Sequence, residues 1–204
     1  MRQRSRGVDQ RPRLRWREPV GWKNYKRLLR VVRKFDGYHS THDVLRAAGL
    51  EKDPRGGIGA LHAASAMGLC HARSGGRRSL LWGPGPPPAD EAAPSLARET
   101  EYRRVIAVLR KAPRAAFPTA FLQELAGGRT RQEVVGAMKL LVAAGLVDHV
   151  VMPPWTKSHS ITCWGWSSPD IRDSDRYYRG GLGPKESLSF VDEMLPSRDL
   201  ANGN

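Results

Sequence analysis

Cysteine and long apolar runs are scarce in this sequence. The 204 residues include only 2 cysteines, Cys70 and Cys163, which is too few for a disulfide scaffold and favours a reducing, intracellular compartment. No apolar run approaches the roughly 18 residues that a transmembrane helix needs. The basic segment 1–7 has no hydrophobic stretch behind it, which excludes a secretory signal. A solvated basic arm and an organellar presequence both fit this segment, so we expect an intracellular protein, with an organelle as the alternative location.

Motifs that bind metals, bind nucleotides or supply a catalytic nucleophile are also lacking. His149, His159 and Cys163 form no paired Cys-x-x-Cys or His-x-x-x-His unit. The glycine-rich stretch at residues 55–61 lacks the preceding strand and the later lysine of a phosphate-binding loop. No serine lies in a nucleophile elbow. We therefore expect a protein that uses no cofactor and no metal and that is not an enzyme.

Acidic residues are far outnumbered by basic ones. The 20 Asp and Glu stand against 34 Lys and Arg, which gives a net charge of +14 at pH 7 and an isoelectric point near 10.6. This excess is more than solubility requires, and it favours an anionic partner, with nucleic acid preferred over a membrane surface. Arginine dominates the basic set, and its planar guanidinium suits bidentate contacts to phosphates and base edges.

The sequence repeats itself after 77 residues. Residues 25–71 align with 102–148 without a gap, and the match includes Gly59 on Gly136. Between the copies, the proline-rich residues 83–99 forbid a regular helix and favour a stiff, extended linker. We interpret the sequence as two copies of one module.

Each copy predicts three helices followed by a two-stranded ribbon. In the first copy, an apolar stripe predicts a helix over residues 25–35, and Ser40 or Thr41 caps a second helix that stops at Gly49. Asp53, followed by a proline, begins the third helix. The second copy repeats this order, with a capping box before its third helix and a longer ribbon.

This element order is similar to that of the winged-helix family. The resemblance covers about residues 22–82 and 100–166, and it implies a mainly α protein with small β-hairpins, an α+β fold of two tandem winged-helix modules. The flanking segments are then a flexible basic arm at residues 1–21 and an extended polar tail at residues 167–204. In such proteins the third helix usually enters the major groove, and the wing contacts the backbone or the minor groove.

Three segments carry the residues that this resemblance and the charge pattern assign to nucleic-acid contacts. Each third helix has one stripe on which hydrogen-bonding side chains alternate with small residues, which allows close approach to a polyanion. The first wing carries Arg73, Arg77 and Arg78 around two glycines, and the second wing tip carries Trp155 and Lys157. The arm alternates arginine with tryptophan, a pattern that tracks a phosphate backbone and stacks on bases. The alternative for the third helices and the wing is an ordinary solvated surface, and for the arm it is docking of Trp16 or Trp22 on the first helix. The predicted contact residues are Arg11, Arg13, Arg15, Arg17, Arg55, His62, Arg73, Arg77, Arg78, Arg131, Gln132, Lys139, Trp155 and Lys157.

We expect a protein that binds double-stranded DNA through its third helices and wings, as a transcriptional or DNA-maintenance factor. The alternative is a structural subunit of a large ribonucleoprotein or multiprotein assembly, such as a ribosome, in which the same basic surfaces contact RNA and protein. A pure protein-interaction module is a third interpretation, against which the net charge of +14 argues. In the tail, residues 185–195 have an amphipathic pattern that suits docking on the modules or on a partner protein.

Replacing both Arg77 and Arg78 with alanine tests the first wing. Because phosphate contacts carry no sequence information, we expect the double substitution to weaken binding to all duplex sequences alike. The measurement is affinity over a salt series, in which the unmodified protein should give a log-log slope corresponding to roughly 5–10 released counterions. Unchanged affinity of the variant, with duplex binding retained, contradicts the wing assignment.

Overall fold

The described part of the chain is mixed α and β, with six helices and seven strands in two small antiparallel sheets. The structure is a computed structural model, and it describes residues 15–16, 18–76, 79–88, 96–112, 116–152 and 161–167. The helices are α1 Trp22–Val32, α2 Thr41–Ala48, α3 Pro54–Ala66, α4 Leu96–Lys111, α5 Thr119–Leu125 and α6 Arg131–Ala143. The strands are β1 Arg15–Trp16, β2 His39–Ser40, β3 Cys70–Ser74, β4 Leu80–Pro84, β5 Ala116–Pro118, β6 Val147–Met152 and β7 Ile161–Trp166.

Capping residues begin three of the helices. Ser40, rather than Thr41, is the N-cap of α2, and its hydroxyl accepts from the backbone N–H of Asp43. The Asp53 carboxylate caps α3, which has proline at its first position. Thr130 and the glutamate three residues later form the predicted capping box of α6. These local signals explain why the helices begin close to where the sequence predicts them.

The order of elements is the same in both halves of the chain. Each half runs helix, strand, helix, helix and then a two-stranded hairpin. The first sheet has the strand order β2-β4-β3, and the second has the equivalent order β5-β7-β6 with β1 added outside β6. The third helices start 77 residues apart, as the ungapped alignment predicts, but α2 and α5 start 78 apart. The ungapped alignment therefore pairs the second helices of the two halves with an offset of one residue.

A duplicated hydrogen-bonded link ties the second helix of each half to its hairpin. Trp82 Nε1 donates to Thr41 Oγ1, and Trp164 Nε1 donates to Thr119 Oγ1, both at 2.9 Å. Each threonine hydroxyl in turn donates to a backbone carbonyl of the same hairpin, at Leu80 or its equivalent. Both tryptophans are buried, so the link satisfies the indole N–H inside the core.

The two halves share one hydrophobic core. Buried residues from the helices of both halves form a single cluster, in which α3 packs against α6. In addition, α1 packs against α6 and α4 packs against α3, so the first helix of each half contacts the third helix of the other. The halves therefore bury their apolar surface against each other as well as within themselves.

Two glycines let α3 and α6 cross with their backbones in contact. A Cβ atom on Gly59 would overlap the carbonyl group of Glu133, and one on Gly136 would overlap the carbonyl group of Gly56. Gly56 and Glu133 are themselves equivalent positions in the repeat, 77 residues apart. The contact is thus reciprocal, as in the interface of a twofold-symmetric dimer. An approximate twofold axis therefore relates the two halves at this crossing.

The segments outside the repeats differ in part from their predicted roles. Of the basic arm, Arg15 and Trp16 form β1, which pairs with Val150 and Val151 of β6. At the ends of the predicted linker, Pro84 belongs to β4 and α4 begins three residues before position 99. Among the described residues, no helix is both long enough and apolar enough to cross a membrane.

Replacing Gly59 with alanine tests the backbone contact between the third helices. In an open helix this change stabilises by up to about 1 kcal/mol. Here we expect it to destabilise the fold by more than about 2 kcal/mol, because the added methyl group meets backbone that cannot move aside. Chemical denaturation measures the difference.

Gly37 provides the control. A Cβ atom there meets nothing within 4 Å, and its φ is not in the left-handed region, so Gly37→Ala should change stability by no more than about 0.5 kcal/mol. If Gly59→Ala is as mild as Gly37→Ala, the two helices do not approach as closely as described.

Candidate nucleic-acid interface

The outward face of α1, extended by the turn that follows it, is uniformly basic. Residues 22–34 contain no acidic residue, and the spacing of the six basic ones places all of them on the side opposite the apolar stripe. On that opposite side Tyr25, Leu28, Leu29 and Val32 are buried. The six exposed basic residues, here called the α1 face, are Lys23, Lys26, Arg27, Arg30, Arg33 and Lys34.

The prediction of contact residues from the sequence left this face out. The three- and four-residue spacing that reveals the apolar stripe of residues 25–35 also predicts a basic stripe opposite to it. The winged-helix resemblance, however, directed attention to the third helices and the wings. The signal was present in the sequence, as a helix whose solvent side carries charge of one sign only.

Local contacts fix the start of α1 and one edge of its basic face. Trp22 Nε1 donates to the carboxylate of Glu18 at 2.7 Å, and Lys26 Nζ lies 5.3 Å from the centroid of the Trp22 ring. Asn24 donates to the carbonyl oxygen of Gly49 at 3.0 Å, which joins α1 to the end of α2. The helix is thus held on its neighbours by its inner and lateral side chains, while the α1 face is exposed.

Arg73 of the first hairpin, β3 and β4, contacts a residue that follows the α1 face closely in the sequence. The Arg73 guanidinium stacks 3.4 Å from the centroid of the Tyr38 ring, and Tyr38 follows Lys34 by only four residues. The Tyr38 hydroxyl lies 2.8 Å from His71 Nε2, which holds the ring against β3. Stacking of this kind orders a guanidinium group, while its N–H donors, which lie in the plane of that group, still point outward.

The predicted first ribbon is confirmed as the hairpin of β3 and β4, but two residues of its tip lie outside the described part of the chain. β3 ends at Ser74 and β4 begins at Leu80, with the turn closed by a bond from the Gly75 N–H to the Ser79 carbonyl oxygen at 2.9 Å. Gly76 adopts a φ of 79°, which suits glycine. Arg77 and Arg78 lie outside the described residues, and so do Arg11, Arg13, Arg17, Trp155 and Lys157.

The predicted contact stripes on the third helices are wrong for their central residues. His62 is only 1% exposed, and Gly59 and Gly136 lie at the crossing of α3 and α6. The two stripes face each other because the small residues within them permit the helices to pack closely. Lys139 is half-buried, with its Nζ 5.4 Å from the centroid of the Tyr25 ring, and burial lowers its pKa.

The fully exposed residues of the third helices lie at their N-terminal ends. Arg55 on α3 is exposed, as are Arg131 and Gln132 on α6. Arg15 contributes its backbone to β1. Of the fourteen predicted contact residues, the structure therefore brings three to exposed helix ends, and it orders Arg73 on Tyr38.

His62 is part of a polar cluster inside the interface between the halves. Its ring contacts Trp82 edge to face at a centroid distance of 5.2 Å, and its Nε2 lies 3.4 Å from Arg98 Nη1. Burial, together with the positive charges of Arg98 and Arg129, lowers the pKa of His62 to about 3. A neutral, buried imidazole offers no charge to a polyanion, so His62 is a structural residue.

The same interface buries one carboxylate. Glu99 on α4 is 3% exposed, accepts from Ser65 Oγ of α3 at 3.0 Å and pairs with Arg103 one turn along its own helix. The Arg103 guanidinium and the Ser65 hydroxyl compensate the negative charge of the Glu99 carboxylate, which burial removes from water. Glu99 therefore connects α4 to the third helix of the other half.

No family model, no curated protein and no solved structure matches this chain. Its function is therefore inferred from the surface of the molecule itself. Three features bear on it: a uniformly basic α1 face, third helices whose facing sides are buried, and Arg73 of the first hairpin stacked on Tyr38.

The depressed pKa of His62 makes a testable contribution to stability. Because the folded protein keeps His62 neutral down to about pH 3 while the unfolded chain takes up the proton near pH 6.5, the free energy of unfolding falls as the pH drops between these values. The contribution is about 1.4 kcal/mol per pH unit in this window. The free energy of unfolding, measured by denaturation at several pH values, should therefore depend on pH less steeply by this amount in His62→Gln. Equal slopes in the two proteins contradict the burial of a neutral imidazole.

Proposed function

We propose that this chain is a non-enzymatic protein that binds double-stranded DNA, with the α1 face as its main contact surface. The single observation that carries the proposal is the α1 face itself: six exposed basic side chains on one side of one helix, with no acidic residue in residues 22–34. Each basic side chain that neutralises a phosphate releases a condensed counterion, which favours binding to duplex DNA.

In the described part of the chain no acidic side chain pairs with this face, although Lys26 lies against the Trp22 ring. Its six side chains point away from the apolar stripe, and the nearest preceding acidic residue, Glu18, accepts a hydrogen bond from Trp22. Like charges placed three and four residues apart on a helix repel one another and cost stability. A concentration of like charge that costs stability is better explained by a polyanionic partner than by folding.

The proposal includes a tandem winged-helix architecture. Its support is the order of elements, helix, strand, two helices and a hairpin, which occurs in both halves. The arrangement departs from the usual use of that fold, because the third helices α3 and α6 pack on each other instead of facing outward. We therefore assign the major contact to α1, with Arg73 and the first wing beside it.

Substitution of Lys26 and Arg30 by glutamine tests the α1 face. Both residues are exposed on the middle of the helix, and glutamine retains helix propensity while removing the charge. We expect the affinity for a generic duplex to fall about tenfold or more at low salt, and the log-log salt slope to fall by about 2. Titration of a labelled duplex over a salt series measures both.

The matched control removes two charges from the exposed ends of the third helices. Arg55→Gln with Arg131→Gln lowers the net charge equally but leaves the α1 face intact, so we expect a change in slope of less than about 1. An equal loss in both variants contradicts the assignment to α1. Tighter binding to structured RNA than to the duplex favours the alternative of a subunit in a ribonucleoprotein assembly.

A further inference from the structure

We propose that Tyr38 is a positioning residue, which holds the guanidinium group of Arg73 in place for contact with one phosphate group of the duplex. This inference rests on the proposed function and deepens it, because it names a residue that acts through Arg73 and the chemical group that Arg73 binds. The observations that carry it lie on the outer face of the first sheet, the side turned away from the hydrophobic core.

The alternation of side chains along β3 identifies this outer face. Cys70 and Ala72 are buried members of the core cluster. Successive side chains of a strand point to opposite sides of the sheet, so His71 and Arg73 lie on the other side. Tyr38 directly precedes β2, and its hydroxyl reaches His71. The outer face therefore brings Tyr38, His71 and Arg73 together.

Gly83 lets the Tyr38 ring approach β3 across the middle strand of the sheet. β4 lies between β2 and β3, and its Gly83 pairs with His71. A Cβ atom on Gly83 would lie 2.6 Å from Cε1 of Tyr38 and 3.1 Å from Cε1 of His71. The two rings meet edge to face at a centroid distance of 5.3 Å. The missing side chain of the glycine thus makes room for the tyrosine ring.

Two hydrogen bonds fix the His71 ring and, through it, the Tyr38 ring. His71 Nδ1 lies 3.1 Å from the carbonyl oxygen of Gly85, and because a carbonyl oxygen only accepts, this nitrogen carries a proton. In the neutral imidazole the other nitrogen, Nε2, then accepts, and the Tyr38 hydroxyl donates to it at 2.8 Å. Since His71 is buried, its hydrogen bonds are shielded from water.

The fixed ring in turn orders Arg73. Cζ of this half-buried arginine lies 3.4 Å from the centroid of the Tyr38 ring, and none of the ion pairs among the described residues involves Arg73. The N–H donors in the plane of the guanidinium group suit two parallel hydrogen bonds to the oxygens of one phosphate. A side chain that is already ordered loses less conformational freedom on binding, which increases affinity.

The second half keeps the glycine but not the side chains around it. Trp82 and Trp164 occupy equivalent places in the two sheets, and each is followed by a glycine. The residues in the places of Tyr38, His71 and Arg73 are Ala116, Asp148 and Val150. Both halves nevertheless have the same order of helices and strands. The fold therefore forms without this set of side chains, which favours a role for them in binding.

A double-mutant cycle tests the positioning role. Arg73→Gln removes the charged contact, Tyr38→Leu removes the ring that orders it, and the combined variant completes the cycle. Tyr38→Phe keeps the ring, and Arg55→Gln, at the exposed start of α3, is the control for the loss of one charge. Affinity is titrated over a salt series with two generic duplexes of unrelated sequence.

We expect Arg73→Gln to weaken binding about tenfold at low salt, equally for both duplexes, with a log-log salt slope lower by about 1. Tyr38→Leu should weaken binding about three- to fivefold with an unchanged slope, because the charge remains and only its ordering is lost. In the Arg73→Gln background the same leucine substitution should change affinity by less than about twofold. Tyr38→Phe should match the unmodified protein to within about twofold, since the stack is retained. Arg55→Gln should lose less affinity than Arg73→Gln.

A spectroscopic measurement replaces the cycle if thermal unfolding shows that Tyr38→Leu does not fold. In the unmodified protein the Tyr38 ring current should shift the NMR signals of the Arg73 side chain upfield. The shift should persist when the duplex is added, because the stacked guanidinium group is the one that binds. Loss of the shift on addition of the duplex overturns the inference.

The other outcomes separate this inference from the proposed function. Additive losses in the cycle, or an equal loss in Tyr38→Phe and Tyr38→Leu, overturn the positioning role. A loss in Arg73→Gln that differs between the two duplexes indicates a base contact and overturns the assignment to phosphate. If the variant of Lys26 and Arg30 binds less tightly but Arg73→Gln does not, the inference is wrong and the proposed function stands. If the unmodified protein binds no duplex, the proposed function itself fails.

Discussion

The close crossing of α3 and α6 decides which surfaces this molecule presents. Two helices whose backbones touch leave no room for side chains between them, so the residues at the crossing are Gly59 and Gly136. Around this point the helices bury residues such as His62, and the halves form one core. The third helices are thereby unavailable to an external partner along their facing sides, whereas the solvent side of α1 stays exposed.

Local structure was predictable because its causes are local. The caps at Ser40, Asp53 and Thr130, together with the three- and four-residue spacing of apolar side chains, act within a few residues and are visible in the sequence. The repeat was also visible, although an alignment without gaps cannot accommodate the one-residue shift between α2 and α5. The link from each buried tryptophan to a threonine was missed, since it joins residues 41 and 45 positions apart.

The packing of the halves was not predictable from the same signals. A helical stripe of glycine and alanine with an occasional polar residue suits close approach to a polyanion, and it equally suits close approach to another helix. Periodicity identifies such a stripe but not its partner. In this molecule the partner of each stripe is its own copy, which turned predicted contact residues such as His62 into core residues. The uniform sign of charge in residues 22–34 is a signal of another kind, because it can be read from the sequence without knowing which helix packs on which.

The pairing of β1 with β6 connects a segment that precedes the first half to the sheet of the second half. Arg15 and Trp16 precede every element of the first half, yet they hydrogen-bond to the sheet of the second half. A second half cut free at the linker would lose this strand and present unpaired amide and carbonyl groups along Val150 and Val151. Open strand edges of this kind recruit other chains and aggregate. β1 therefore covers an edge of the second sheet that would otherwise be open, and the two halves, although duplicated, are not interchangeable building blocks.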